Sequence, residues 1–247
     1  GEGGGEGGRQ VLLTVGNHDI GNQQHASQKY LDLFEEGVGP ANAVLCLKNQ
    51  SFVTFNTQVL APQARAAMRA TALSFLSSPS LSLQLQQCSG SAPSRPILIG
   101  HMPLYRSTDE VCGRESGTTT VGNRCQRPPP DPLVPSPSVP TYCHESGRGV
   151  TYKAVRDTLY AWDDDVLGQE QSTALLRDLQ PSLVISGHTH APCRTSHVIA
   201  APGHADVTRE VPEVTLPPLG WRMRPDAGYA IAVIVPANAA VRGADSG

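Results

Sequence analysis

A chain of 247 residues with a formal net charge of -3 is long enough to bury one sizeable core, and nothing in its length demands a second domain. Its Lys and Arg residues are scattered instead of gathered on one face, which argues against a nucleic-acid partner and against a polybasic membrane-surface patch. The strongest apolar run, "YAIAVIVPANAAV", is short and carries Pro236, so it falls well below the roughly 20 residues of a transmembrane helix.

Residues 1–9, "GEGGGEGGR", are too rich in glycine to hold a fold and lack the basic flank and apolar centre of a signal peptide. They read as a low-complexity edge to a domain over 10–240. "QVLLTV" (10–15) predicts a buried strand ending at Gly16. "ASQKYLDLFEE" predicts a helix with Tyr30, Leu31 and Phe34 on one face. "AVLCLK" and "SFVTFNT" then predict a strand pair turning at Asn49 and Gln50. "QARAAMRATALSFLSS" reads as a helix that Pro79 cannot continue.

"RPILIG" predicts another buried strand, with His101 directly after its glycine. From 107 to 149 the pattern dissolves into Gly, Ser, Thr and Pro, with "RPPPDPLVPSPSVP" at its centre, and reads as a disordered surface insertion. "QEQSTALLRDLQP" resumes helix with Leu175, Leu176 and Leu179 inward and Pro181 beyond its end. "SLVISG" is the next strand, followed by three more candidates, "RTSHVIA", "EVPEVTL" and "GYAIAVIV". Alternating strands and helices followed by a strand-rich tail predict an α/β sandwich.

Six cysteines, Cys46, Cys88, Cys112, Cys125, Cys143 and Cys193, form no CxxC pair. An even count without that spacing points to disulfides over zinc. "NQS" at 49–51 is an acceptor pattern for N-glycosylation, a triplet that also arises by chance.

Three predicted strands end alike: Val15 leads into "GNHD", Ile99 into "GHMP" and Ile185 into "SGHTH". In α/β folds ligands collect beyond the carboxyl ends of the strands. Here each strand ends on a glycine that lets the chain bend, followed by imidazole or amide groups able to hold a metal. Singly each has a structural reading. His101 suits a satisfied polar residue, and "GNHD" suits a turn stabilised by Asn and Asp. The conjunction of all three points to one site.

These motifs resemble the later motifs of the calcineurin-like metallophosphoesterase superfamily, which packs two β-sheets between helices and holds two metal ions at the strand ends. The resemblance implies a partial two-sheet metallophosphoesterase sandwich flanked by helices. It also implies that Asn17, His101 and His188 bind one metal, that His190 binds the other, and that His18 faces the phosphate oxygen or the leaving group with Asp19 fixing its ring. Two divalent ions suit in-line attack on phosphorus, and neutral imidazoles with an amide suit Mn, Fe or Zn better than Mg or Ca.

"HMPLYRSTDEVC", "LQPSLVISGHTHAPC" and "EVPEVTLPPLGWRMRPDAGYAI" further resemble the branch that trims ethanolamine phosphate from GPI-anchor glycans. That implies manganese, a GPI-anchored glycan as substrate, the lumenal side of the endoplasmic reticulum and Golgi, and membrane association through segments outside this chain. The competing readings are a phosphoesterase on another substrate and a non-catalytic descendant that binds glycans or cargo.

The chain departs from the superfamily at its opening motifs. Neither the D-x-H nor the G-D-x-x-D that supplies the remaining ligands and the bridging carboxylate occurs. The resemblance then implies that those groups lie upstream and that this is a C-terminal part with an incomplete site and core.

Several further residues carry two readings. Tyr105 and Arg106 suit a phosphate contact or a surface pair, since Arg grips phosphate through parallel hydrogen bonds. His197 and His204 read as surface residues, and Asp163 to Asp165 as a solvated acidic run. Trp221 and Arg222 suit the cleft rim or core packing, and Cys193 a disulfide or a thiolate beside the histidines.

Overall fold

The computed structural model describes residues 10–90, 95–106, 166–189, 193–201, 204–219 and 229–232. The expected insertion at 107–149, the acidic run at 163–165, His190 and the Trp221–Arg222 pair all lie outside these residues.

The α/β expectation holds. The strands are β1 (Ala43–Leu47), β2 (Gln50–Thr54), β3 (Ile97–Ile99), β4 (Leu183–Ser186), β5 (Cys193–Ala201) and β6 (His204–Thr215). They form one six-stranded sheet in the order β1-β2-β3-β4-β6-β5, consistent with a metallophosphoesterase sandwich, and no second sheet occurs among the described residues. The central pairings β2/β3, β3/β4 and β4/β6 are parallel, and the outer pairings β1/β2 and β5/β6 are antiparallel. Parallel strands covered on both faces read as continuous apolar runs, which is why "ILI" and "LVIS" were legible as strands.

The helices are α1 (Asn17–Ile20), α2 (Gln28–Gly37), α3 (Ala66–Leu76), α4 (Pro79–Ser89) and α5 (Gln169–Leu179). Leu31 and Phe34 are buried on α2 and Leu175, Leu176 and Leu179 on α5, the i, i+3, i+4 stripe of a helix facing a core. Tyr30, placed inward from the sequence, is 54 % exposed, because it lies about 100° around the helix from Leu31. Pro79 ends one helix and also starts the next. It sits in the first turn of α4, where its missing N–H is not needed, and the Ser78 side chain accepts from Leu81 N–H as the cap.

Two expected strands are absent from the described residues. Over 10–15 the chain forms no ladder: Val15 is fully buried, whereas Val11 and Leu13 are exposed. Apolar propensity alone makes no strand without a neighbour to share backbone hydrogen bonds. Residues 229–232, the described part of "GYAIAVIV", are exposed and irregular. The β1–β2 turn is shifted by one residue from its expected place. Leu47 pairs with Gln50, so Lys48 and Asn49 form the turn with φ of 49° and 67°, the two positive angles a two-residue hairpin turn requires.

The core gathers Val53, Phe55, Leu98, Met102, Leu104 and Val184 with helix residues including Leu31, Phe34, Leu81 and Leu175. A disulfide joins Cys46 on β1 to Cys88 on α4, with Cα atoms 5.6 Å apart, and Cys193 is disulfide-bonded as well. No helix among the described residues is long and apolar enough to cross a membrane.

Candidate metal centre

Because β2, β3, β4 and β6 run in parallel, their carboxyl ends lie along one edge of the sheet. There the segments after Thr54, Ile99, Ser186 and Thr215 meet, joined by the stretch from Val15 into α1.

Three of the expected ligands converge there. His101 Nε2 lies 3.0 Å from Asn17 Oδ1 and 3.1 Å from His188 Nδ1. The two rings meet edge to face with centroids 4.9 Å apart. A proton on His101 Nε2 can be shared between Asn17 Oδ1 and a lone pair on His188 Nδ1. With that proton lost, the same three atoms offer three lone pairs to one cation. Donors about 2.1 Å from a shared octahedral cation, at right angles to each other, stand about 3.0 Å apart, which the two separations from His101 Nε2 match.

The local backbone is built for this approach. A Cβ on Gly16 would come within 2.9 Å of His101 Cε1, so the ring needs a glycine beneath it. His188 adopts φ of 66°, a conformation that favours glycine and costs an L-residue on the order of 1–3 kcal/mol. Strain of that size at a side chain facing other donors is the pattern of a functional position.

"GNHD" folds as the one-turn helix α1, not as a simple turn. Asp19 Oδ2 accepts from Gly16 N–H at 2.8 Å, which satisfies one donor at the helix start. The expected hold of Asp19 on the His18 ring is not made among the described residues. Side chains at i and i+1 of a helix point apart, and His18 is left exposed.

The turn after His101 is pinned at three backbone N–H groups. Met102 N–H donates to Thr57 Oγ1 at 3.0 Å, Leu104 N–H to Glu213 Oε1 at 2.9 Å, and Tyr105 N–H to Ser172 Oγ at 2.8 Å. The turns that carry His101 and His188 are also tied to each other, since Gly187 N–H donates to the His101 carbonyl at 2.9 Å.

Glu213 was not singled out as a site residue, yet it joins these parts. It is fully buried, and its Oε1 also accepts from the Ser186 hydroxyl at 2.8 Å. Its Oε2 lies 2.8 Å from His197 Nε2, so His197 is an inward-facing partner and not the surface residue expected. The legible signal was alternation: Val211, Glu213 and Thr215 fall on one face of β6, all buried. Arg106 is likewise buried at 4 % exposure. Its guanidinium donates to Thr215 Oγ1 at 3.2 Å and to Thr189 Oγ1 at 3.4 Å, so it stands behind the site and is no member of a surface pair.

Among the described residues no three His, Cys, Asp or Glu side chains form a metal-binding group; the donors here are two imidazoles and an amide. A cavity of about 470 Å³ between α3, α4 and α5 is lined by Leu73, Leu76 and Leu179 among others. None of the converging donors lines it, and it has no part in this chemistry.

No family model matches the chain, and no solved structure matches it. Among curated proteins it is 28 % identical over 236 residues to metallophosphoesterase 1 of Rattus norvegicus, covering 89 % of this chain and 47 % of that protein. The Cricetulus griseus protein of the same name is 29 % identical over 233 residues, covering 89 % and 47 %. The Gallus gallus protein is 25 % identical over 241 residues, covering 93 % and 50 %. These similarities support a metallophosphoesterase family. Such a family implies divalent metal ions, in keeping with the converging donors. The chain spans about half the length of the curated relatives it matches.

Proposed function

We propose that this chain forms part of a metal-dependent phosphoesterase that hydrolyses a phosphodiester, with ethanolamine phosphate on the GPI-anchor glycan as substrate. The observation that carries the hydrolytic reading is the convergence of Asn17, His101 and His188 at 3.0 to 3.1 Å from separate turns. The substrate rests on the segments resembling the GPI-trimming branch, and it places the protein on the lumenal side of the endoplasmic reticulum and Golgi.

In this reading Asn17, His101 and His188 hold one divalent ion and His190 contributes to a second, manganese being the metal expected. Bound there, such ions supply Lewis acidity at the phosphate oxygens and a nucleophile at neutral pH. His18, exposed at the start of α1, protonates the departing alkoxide or stabilises its charge. Asp19 fixes the helix start that presents His18. Arg106 contributes a buried positive charge behind the site that favours an anionic substrate.

The test uses the full-length protein. It should cleave bis-p-nitrophenyl phosphate in the presence of manganese, and His18→Ala should abolish turnover. In cells lacking the gene, GPI-anchored reporters should retain the ethanolamine phosphate that normal cells remove. Reporters with unchanged glycans would overturn the substrate while leaving the hydrolase standing. An inactive full-length protein that binds GPI glycans would favour the non-catalytic reading.

A further inference from the structure

We infer that Asn49 is an N-glycosylation site, modified in an oxidising secretory compartment. The inference is independent of the phosphoesterase reading. It rests on the juxtaposition of the acceptor triplet Asn49-Gln50-Ser51 with the neighbouring disulfide.

Asn49 is exposed and forms the tip of the β1–β2 hairpin with φ of 67°. Asn tolerates this left-handed conformation, and the turn directs a substituent away from the sheet. Ser51 pairs with Cys46 across the ladder, and Cys46 is joined to Cys88. A disulfide persists where the surroundings are oxidising, the same compartments in which asparagine receives its glycan. Two features of unrelated chemistry, three residues apart, therefore point to one environment.

The geometry also leaves room for a large substituent. β2 runs from Gln50 to Thr54 parallel to β3, whose end at Ile99 leads to His101. Asn49 therefore lies at the opposite end of the sheet from the converging histidines, and a glycan there does not obstruct them. It would stand beside β1, the outer strand of the sheet among the described residues, where bulk and hydration oppose edge-to-edge association.

The donor is an oligosaccharide carried on a polyisoprenyl diphosphate. The Asn49 side-chain nitrogen bonds to the anomeric carbon of the first sugar, the bond from that carbon to the diphosphate oxygen breaks, the lipid diphosphate departs, and the amide loses one proton to a base. Ser51 is 3 % exposed once folded, so transfer precedes closure of the hairpin.

The experiment expresses the full-length protein in a secretory eukaryotic cell and analyses peptides spanning residue 49 by mass spectrometry, before and after peptide-N-glycosidase, without reduction. The expected result is conversion of Asn49 to Asp on enzymatic release, in molecules whose Cys46 and Cys88 are linked. Asn49→Asp, which keeps a residue tolerant of the left-handed turn, and Ser51→Ala should each remove one glycan step in gel mobility. An unmodified Asn49 in disulfide-linked protein, or Cys46 and Cys88 found as free thiols, would overturn the proposal.

Discussion

His101 Nε2 lies 3.1 Å from Nδ1 of His188 across a separation of 87 residues in sequence. Two imidazoles so placed, with Asn17 Oδ1 3.0 Å from the same His101 nitrogen, offer three donors to one cation. The donors are neutral, and two dications about 4 Å apart repel by about 16 kcal/mol at an effective dielectric of about 20. This chain alone should therefore bind one equivalent of manganese or zinc tightly and no second. His188→Ala should weaken that binding by at least about tenfold. Metal analysis with titration calorimetry checks both, and two equivalents at micromolar affinity would contradict the account.

Gly16→Ala isolates the position of one ring. Gly16 has extended backbone angles, φ -115° and ψ 175°, which alanine adopts freely. The new Cβ would meet His101 at 2.9 Å, and the ring must move. Metal affinity should fall about tenfold or more, with thermal stability little changed. Gly37→Ala, whose Cβ would meet nothing within 4 Å, serves as the silent control.

Removing the Glu213 carboxylate strands the buried Leu104 N–H and takes a partner from part-buried His197, while the Ser186 hydroxyl keeps only Thr215 Oγ1. Each unsatisfied group costs about 1–3 kcal/mol, so Glu213→Ala should destabilise by about 3 kcal/mol or more in denaturant titration. His197→Ala in the same background should be less than additive, with a coupling of about 0.5–3 kcal/mol. Additive losses would show that the pair does not act as a unit.

Cys46 and Cys88 are 42 residues apart in sequence. Closing a loop of that length in the unfolded chain stabilises the fold by roughly 4 kcal/mol on the chain-entropy account. The Cys46→Ala/Cys88→Ala pair should lower the denaturation midpoint accordingly, and reduction of the native protein should lower it at least as far, since Cys193 is disulfide-bonded as well.

The elements legible in the sequence were those whose signal is local. "ILI" and "LVIS" declare themselves as apolar runs, the Leu175-Leu176-Leu179 stripe has helical spacing, and the strand-end glycines mark where the turns with Asn17, His101 and His188 begin. What depends on a partner was not legible. Residues 10–15 have strand composition but no ladder neighbour among the described residues. His197 becomes inward-facing only because Thr195 pairs with Glu213 and His197 with Val211, which brings His197 diagonally beside the carboxylate. Asp19 was assigned to the His18 ring by the family resemblance, and its bond to the Gly16 N–H had no signal of its own in the sequence. At the candidate site the convergence of Asn17, His101 and His188 was readable from motif order. The support from Thr57, Ser172 and Glu213, drawn from three distant elements, was not.

The turn from His101 to Arg106 has its amides at Met102, Leu104 and Tyr105 already occupied by Thr57, Glu213 and Ser172. It has little freedom left to lose when a ligand arrives, so capture should demand scant reorganisation. In hydrogen–deuterium exchange those three amides should rank among the slowest in the molecule, and their protection should hardly change when an ion is added.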